Sequence, residues 1–220
     1  MTTENHNMGG TLTLTGEGQV QAKPDMATIN LGVVTDAKTA QAAIGENAEL
    51  MSQVLGKIKA LGIPASDLQT AGFNVSPVVD YQENSPTYGK VVSYQVEDTL
   101  QVKAPVAQVG KVLDEGIGAG ANVAGQLSFG LREESAYRQR ALQAAVKAAY
   151  SDAEIMAHAM GVTLRGTTAA EVVSGGNQII VRRVLSKEAT PTPIEAGNLT
   201  ISASVRVVFK YDKSSAKSKG

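Results

Sequence analysis

Two alternating runs meet at Lys23-Pro24-Asp25, and they restrict how this chain can begin to fold more than anything after them. Leu12, Leu14, Gly16, Gly18, Val20 and Ala22 share one parity, while Thr11, Thr13, Thr15, Glu17, Gln19, Gln21 and Lys23 take the other. A period of two with one apolar row is a half-buried strand. Ala27, Ile29, Leu31 and Val33 repeat the pattern, and the Pro-Asp pair between the runs predicts a tight change of direction and hence an opening hairpin. Ile29 and Leu31 are expected in the core.

Further on, Ala40, Ile44, Ala48, Met51, Leu55 and Ile58 are spaced for a one-faced helix over Thr39–Leu61, stopped by Gly62 in a left-handed conformation. Leu68–Tyr81 and Val91–Ala104 predict a second hairpin, with a turn-rich loop flanked by Tyr81 and Tyr88. Asp98 interrupts the apolar row Val92, Tyr94, Val96, Leu100, Val102; a bulge or a hydrogen-bonded turn accounts for it better than a catalytic acid. A short helix is expected from Pro105 through Ile117, closed by the glycines at 116, 118 and 120. A strand follows over Asn122–Leu131, with Leu127, Phe129 and Leu131 inward. Ser135–Met160 predicts the longest helix, whose nine alanines let it lie close to whatever it covers, with Gly161 as its stop. Strands are expected at Thr168–Ser174 and Asn198–Tyr211.

The order ββα, ββα, βα, ββ argues an α+β fold of helices packed on antiparallel sheet, with hairpins interleaved with crossover helices. Residues 1–10 are expected as a flexible N-terminus, 11–212 as the folded region, in one domain or two subdomains, and 213–220 as a disordered basic tail. Leu61-Gly62-Ile63 and Met160-Gly161-Val162 hint at one unit used twice, although such short motifs also arise without duplication.

Lys plus Arg number 20 against 21 Asp plus Glu, a net charge of -1 that provides no global field toward nucleic acid. The absence of cysteine excludes disulfides, thiolate catalysis and Cys-ligated metals, and fits a reducing or an oxidising compartment equally. No run is long enough for a membrane helix, and Met1–Gly10 lacks the pattern of an export signal.

The Gly-Glu-Gly of 16–18, followed by Lys-Pro-Asp and Ala-Thr-Ile, resembles the start of the SIMPL-domain family, the YggE-like and periplasmic immunogenic proteins. The likeness continues through Thr39–Ala43, Asn47, Ile63-Pro64, Asp67–Thr70, Tyr94, Lys111–Asp114, Gly120–Asn122, Leu127–Phe129, the alanine-rich Ala141–Ala153 and the closing Ile201–Phe209. The resemblance implies a SIMPL-like fold, a periplasmic or secreted location, with the cytoplasm as the alternative, self-association and a link to oxidative-stress tolerance. It also implies that the first residues begin a mature or trimmed form. It carries over no catalytic residues.

Residue chemistry supplies none either. With only His6 and His158, a His-based triad or a multi-His metal site is not expected, and His158 suits the end of its helix. Gly16-x-Gly18-x-x-Gln21 lacks a third glycine and continues as a strand, and Gly116, Gly118 and Gly120 sit at the wrong end of their helix for phosphate. Asp114-Glu115 and Glu133-Glu134 diverge by about 100° on a helix. Arg182, Arg183, Lys187, Arg206 and the lysine tail could form a basic patch, but the lack of interleaved aromatics argues against nucleic acid. Methionines 26, 51, 156 and 160 read as core filler, with oxidant scavenging as a minor alternative.

The expected function is therefore a non-enzymatic, self-associating envelope protein needing no cofactor or metal; the alternative is a protein- or small-ligand-binding module. The candidate self-association residues are Ile179, Ile180, Arg182, Arg183 and Leu185. They lie in a Gly175–Pro193 segment too apolar to stand in water unless it folds back or meets another copy.

Overall fold

The first strand does not turn back on the second. The computed structural model describes residues 9–174, 177–178 and 196–213. In it β1 (Gly10–Ala22) pairs antiparallel with the last strand, β8 (Leu199–Lys213), from Gly10↔Tyr211 to Ala22↔Leu199. β2 (Met26–Ala37) pairs instead with β4 (Val91–Pro105) and β5 (Val123–Gly130). The expected opening hairpin is thus corrected, because alternation specifies which face of a strand is buried and not which strand lies beside it. The Pro-Asp corner is held by other partners. Asp25 N–H donates to the Gly130 carbonyl at 3.2 Å, its own carbonyl accepts from Val106 N–H at 3.1 Å, and its carboxylate accepts from Arg132 N–H at 2.8 Å.

Two compact units result, one holding β1, α3 (Ser135–Met160), β6 (Val162–Ser174), the two-residue β7 (Asn177–Gln178) and β8. The other holds β2, α1 (Ala40–Ala60), β3 (Leu68–Val79), β4, α2 (Val109–Gly118) and β5. They share one connectivity. In the first, strand, helix, strand and strand run β1, α3, β6, β8 with sheet order β1-β8-β6; in the second they run β2, α1, β3, β4 with order β2-β4-β3. The last strand is central in both, and each helix is followed by a left-handed glycine, Gly62 at φ 82° and Gly161 at φ 65°. The echo between Leu61-Gly62-Ile63 and Met160-Gly161-Val162 is therefore repeated in topology, and β1 and β2 are the same strand of two sheets.

In the second unit Ile29, Leu31 and Val33 of β2, Val96, Leu100 and Val102 of β4, Val54 and Ile58 of α1 and Val112 of α2 form the core. Thr39 caps α1 by accepting from Ala42 N–H at 3.2 Å. Pro105 ends β4 instead of opening the helix, since a 3₁₀ turn over Val106–Gln108 precedes α2. Gly116 lies flush on the sheet: a Cβ there would stand 2.6 Å from Leu31 Cδ1. Leu127 is exposed, contrary to expectation, while Phe129 packs on the core. The cause is an irregularity in β5, where Gln126 takes φ 35° and the register slips opposite Ile29, breaking the parity that would have carried Leu127 inward.

In the first unit α3 lies on β1 and β8 through Ala141, Ala145, Ala149, Ala153 and Ala157, one ridge at four-residue spacing. β6 starts at Val162, earlier than the Thr168 expected. It is an outer strand, exposed over most of its length, with three register shifts, so it lacks the alternation that signals a covered strand. Gly10 and Lys213 belong to strands, which trims the expected flexible ends at those positions.

Candidate functional site

The Gly16-Glu17-Gly18 motif is a packing device. A Cβ at Gly16 would run into the Ala145 carbonyl and stand 2.6 Å from Ala149 N, and one at Gly18 would meet the Ala141 carbonyl and stand 2.9 Å from Ala144 Cβ. Glycine on the strand and alanine on the helix together allow the close approach of helix and sheet. No anion cradle is formed there. Both signals were visible in the sequence, but only the fold shows that each answers the other.

The described ionisable residues singled out by sequence are distributed over several elements. His158 is exposed in the last turn of α3, where its carbonyl accepts from Gly161 N–H. Asp114 is exposed on α2 and Glu134 forms the N-cap position of α3. Among the described residues no three of His, Cys, Asp and Glu are grouped to hold a metal. Arg206 pairs with Glu171, and Arg165 with Asp212, both at exposed positions of one sheet. Of the methionines Met51 is buried, but Met156 and Met160 are exposed, so the core-filler expectation fails for that pair. Each follows a ridge alanine by three residues, Ala153 and Ala157, so both flank the ridge near the end of α3 and stay exposed. Ile179, Ile180, Arg182, Arg183, Leu185 and Lys187 lie outside the described residues.

Asp98 occupies a regular position in β4, opposite Val33 of β2 and Phe73 of β3, and the nearest irregularity falls on β3 between Thr70 and Gly72. The bulge expected at Asp98 itself is therefore displaced to the neighbouring strand. Its Oδ1 is buried without a hydrogen-bond partner among the described residues. Burial holds the carboxyl above the usual range, against a smaller opposing pull from the Thr99 N–H. Beside it Asn47 of α1, itself buried, donates through Nδ2 to the Val33 carbonyl at 2.8 Å and the Val96 carbonyl at 3.3 Å. That bond clamps α1 to the two central strands.

The β3–β4 hairpin carries the other distinctive surface. Phe73, Tyr81, Tyr88, Val91 and Val92 are all exposed, Tyr81 by 74% and Tyr88 by 59%. The tip that carries the tyrosines is ordered by Asp80, whose carboxylate accepts from Gln82 N–H at 2.9 Å and from the hydroxyls of Ser85 and Thr87. These bonds, led by Ser85, hold its carboxyl below the usual range. Backbone bonds from Asp80 N–H to Lys90 O and from Gly89 N–H to Asp80 O close the loop. Sequence reasoning placed the loop and its tyrosines and missed the role of Asp80, although an Asp at a turn followed by Ser and Thr was a legible Asx-type signal.

A family model described as SIMPL, protein of unknown function (DUF541), matches residues 12–209. The chain belongs to the SIMPL family. This SIMPL chain is 35% identical over 209 residues to the 26 kDa periplasmic immunogenic protein of Brucella melitensis, covering 90% of the chain and 84% of that relative. It is 30% identical over 150 residues to the uncharacterized protein YggE of Edwardsiella ictaluri, covering 68% and 62% respectively. The YggE of Escherichia coli K12 is 28% identical over 153 residues, covering 68% and 60%. In this SIMPL chain no helix among the described residues is long and apolar enough to cross a membrane.

Proposed function

We propose that this SIMPL protein acts in the bacterial envelope without catalysing a reaction, by associating with further copies of itself. The observation that carries this reading is the β3–β4 hairpin, which presents aromatic and aliphatic side chains to solvent from an internally braced loop. Rigid aromatics lose little entropy on contact and are favoured anchors of protein interfaces. The naming of relatives as periplasmic supports the location. The test is the mass of the full chain by light scattering on a sizing column, for the parent and for a Tyr81→Ser, Tyr88→Ser, Val92→Ser variant. The parent should run as an oligomer and the variant as a smaller species with unchanged circular dichroism. A parent monomeric at micromolar concentration refutes the reading. An Ile180→Asp, Leu185→Asp variant, measured the same way, tests the contribution of the segment holding Ile179, Ile180, Arg182, Arg183 and Leu185.

A second reading, protection against oxidants, is favoured by the exposed thioethers of Met156 and Met160. Each would take one oxygen atom from hydrogen peroxide, giving sulfoxide and water. Peroxide treatment followed by peptide mass analysis should find those two methionines oxidised before Met51; oxidation in the reverse order removes the reading.

A further inference from the structure

Apart from the two-residue β7, four strands border a sheet among the described residues: β1 and β6 in one, β3 and β5 in the other. A border strand offers a row of unpaired N–H and C=O groups, and folded proteins blunt such rows with bulges, proline or lysine. Three of the four are blunted. β3 has two register shifts and Pro77, β5 a shift with Gln126 at φ 35°, and β6 three shifts with Gly166 at φ 131°. β1 has none of these: it matches β8 residue for residue over all 13 positions, and Gly10–Ala22 contains no proline and no lysine. Its edge away from β8 is a straight template for another strand.

The flank of α3 on the same side is exposed as well. Tyr150, whose ring meets Phe209 edge-on at 5.0 Å and whose hydroxyl lies 3.4 Å from that of Thr167, marks the flank over β8 and β6. Ala144, whose Cβ would stand 2.9 Å from one at Gly18, marks the flank over β1. Four-residue steps extend the Ala144 row to Arg140, Ala148, Asp152, Met156 and Met160. All but the half-buried Ala148 are exposed.

We propose that β1 is the seam of a two-fold pairing with a second copy of this chain, in which the two β1 strands join antiparallel and the two α3 rows meet above them. The seam deepens the self-association reading on which it rests, through a surface separate from the β3–β4 hairpin, and it competes with the oxidant reading because it covers Met156 and Met160. Full overlap fixes the register. Gly16, midway between Gly10 and Ala22, faces its own copy, so Leu12 meets Val20, Leu14 meets Gly18 and Thr13 meets Gln19 of the other copy. The helix-facing row thus stays apolar across the seam, and Glu17, the one charge in the strand, faces Thr15 and not another carboxylate. Gly16 lies against Ala145 and Ala149, so the axis passes α3 between them, with Arg140 and Asp152 on opposite sides. The two-fold therefore turns the arginine of each row toward the aspartate of the other, while the small Ala144 and Ala148 admit a close approach of the helices. A 13-residue strand is about 44 Å long, and a seam one strand and one helix deep, about 15 Å, covers on the order of 600 Å² per partner, near the roughly 800 Å² of a standard interface.

The chain has no cysteine, so introduced thiols report the register without interference. In the full chain Thr13→Cys, Gln19→Cys, both at exposed positions, should give a disulfide-linked dimer on a non-reducing gel after mild oxidation. Thr13→Cys alone should not, because its two thiols would stand six residues, or about 20 Å, apart along the seam. Light scattering on a sizing column reads the same contact without a covalent bond. Thr13→Lys, Gln19→Lys sets like charges opposite each other and should weaken the pairing about tenfold or more, whereas Thr13→Lys, Gln19→Glu sets opposite charges there and should keep the parent's mass. An oligomeric parent whose paired cysteines form no cross-link, or equal cross-linking by Thr13→Cys alone, overturns the seam and leaves the hairpin contact standing. Adding Tyr81→Ser, Tyr88→Ser and Val92→Ser to the cysteine pair should leave the cross-link in place, and its loss there overturns the seam as a contact of its own. A parent monomeric at micromolar concentration overturns both readings.

Discussion

One methyl group at Gly16 or Gly18 meets the backbone of α3 and not the yielding end of a side chain. Gly16→Ala and Gly18→Ala should each cost about 1–3 kcal/mol or more, the range for overpacking, read as a fall in the denaturation midpoint. Loss of volume is as costly: Ile29 and Leu31 are buried, so truncating either to alanine should cost about 2–5 kcal/mol. A loss under about 0.5 kcal/mol, typical of surface sites, contradicts the core placement. That placement was legible because Ile29 and Leu31 sit in an unbroken alternation, and burial follows parity. Asp98 broke the row visibly, yet its consequence was not legible, since desolvation depends on what lies across the strand. With the folded carboxyl raised above its ordinary value of 3.8, folding is favoured most at pH below that value, and the contribution is lost as pH rises through the folded pKa. Asp98→Asn should therefore raise stability near neutral pH and flatten its dependence across the carboxylate range. Thermal melts from acid to neutral pH check this, and a lower melting temperature for the variant at neutral pH contradicts it.

At the scale of elements, the helix ends were the most legible features, because a left-handed glycine is nearly the only residue that can occupy those positions cheaply, and Gly62 and Gly161 do so. Outer strands were the least legible: β6 and the irregular β5 follow no parity, since neither is covered along its length. The same distinction separates glycines that serve packing from those that serve nothing visible. Gly45 lies inside α1, and a Cβ added there would have nothing within 4 Å. Gly45→Ala should thus stabilise by about 0.5–1 kcal/mol through lower backbone entropy in the unfolded chain, opposite in sign to Gly16→Ala. The hairpin tip gives a pH signature of its own. Asp80 is lowered below 3.8 by Ser85, Thr87 and Gln82, so its bracing is present above that value and lost as pH falls through the folded pKa. Asp80→Asn should speed amide exchange at Ser85–Lys90 at neutral pH and make it insensitive to acid; unchanged exchange rates exclude the bracing role.

At the scale of the whole molecule, the two units are built from different reaches of the chain, and this is what the expected opening hairpin concealed. β1 finds its partner almost the length of the sequence away, and neither alternation nor turn chemistry encodes so distant a pairing. The second unit gathers β2 to β5 and both of its helices from the continuous stretch Pro24–Arg132, with its own apolar core and the Arg132–Asp67 ion pair at 2.8 Å. The first depends on β8, which lies between β1 and β6 in its sheet. Ending the chain before Leu199 should therefore leave β1 and β6 without the strand that joins them, and α3 without half the surface its alanine ridge covers. The expected outcome is asymmetric. In a two-dimensional amide spectrum the truncated chain should keep dispersed signals for residues of β2, β4 and α1 while those of α3 collapse to unfolded positions, and a fragment of residues 24–132 should reproduce the surviving set. If truncation unfolds both units together, or the fragment remains unfolded alone, the second unit does not carry its own stability and the repeated strand-helix-strand-strand element is not an independent folding unit.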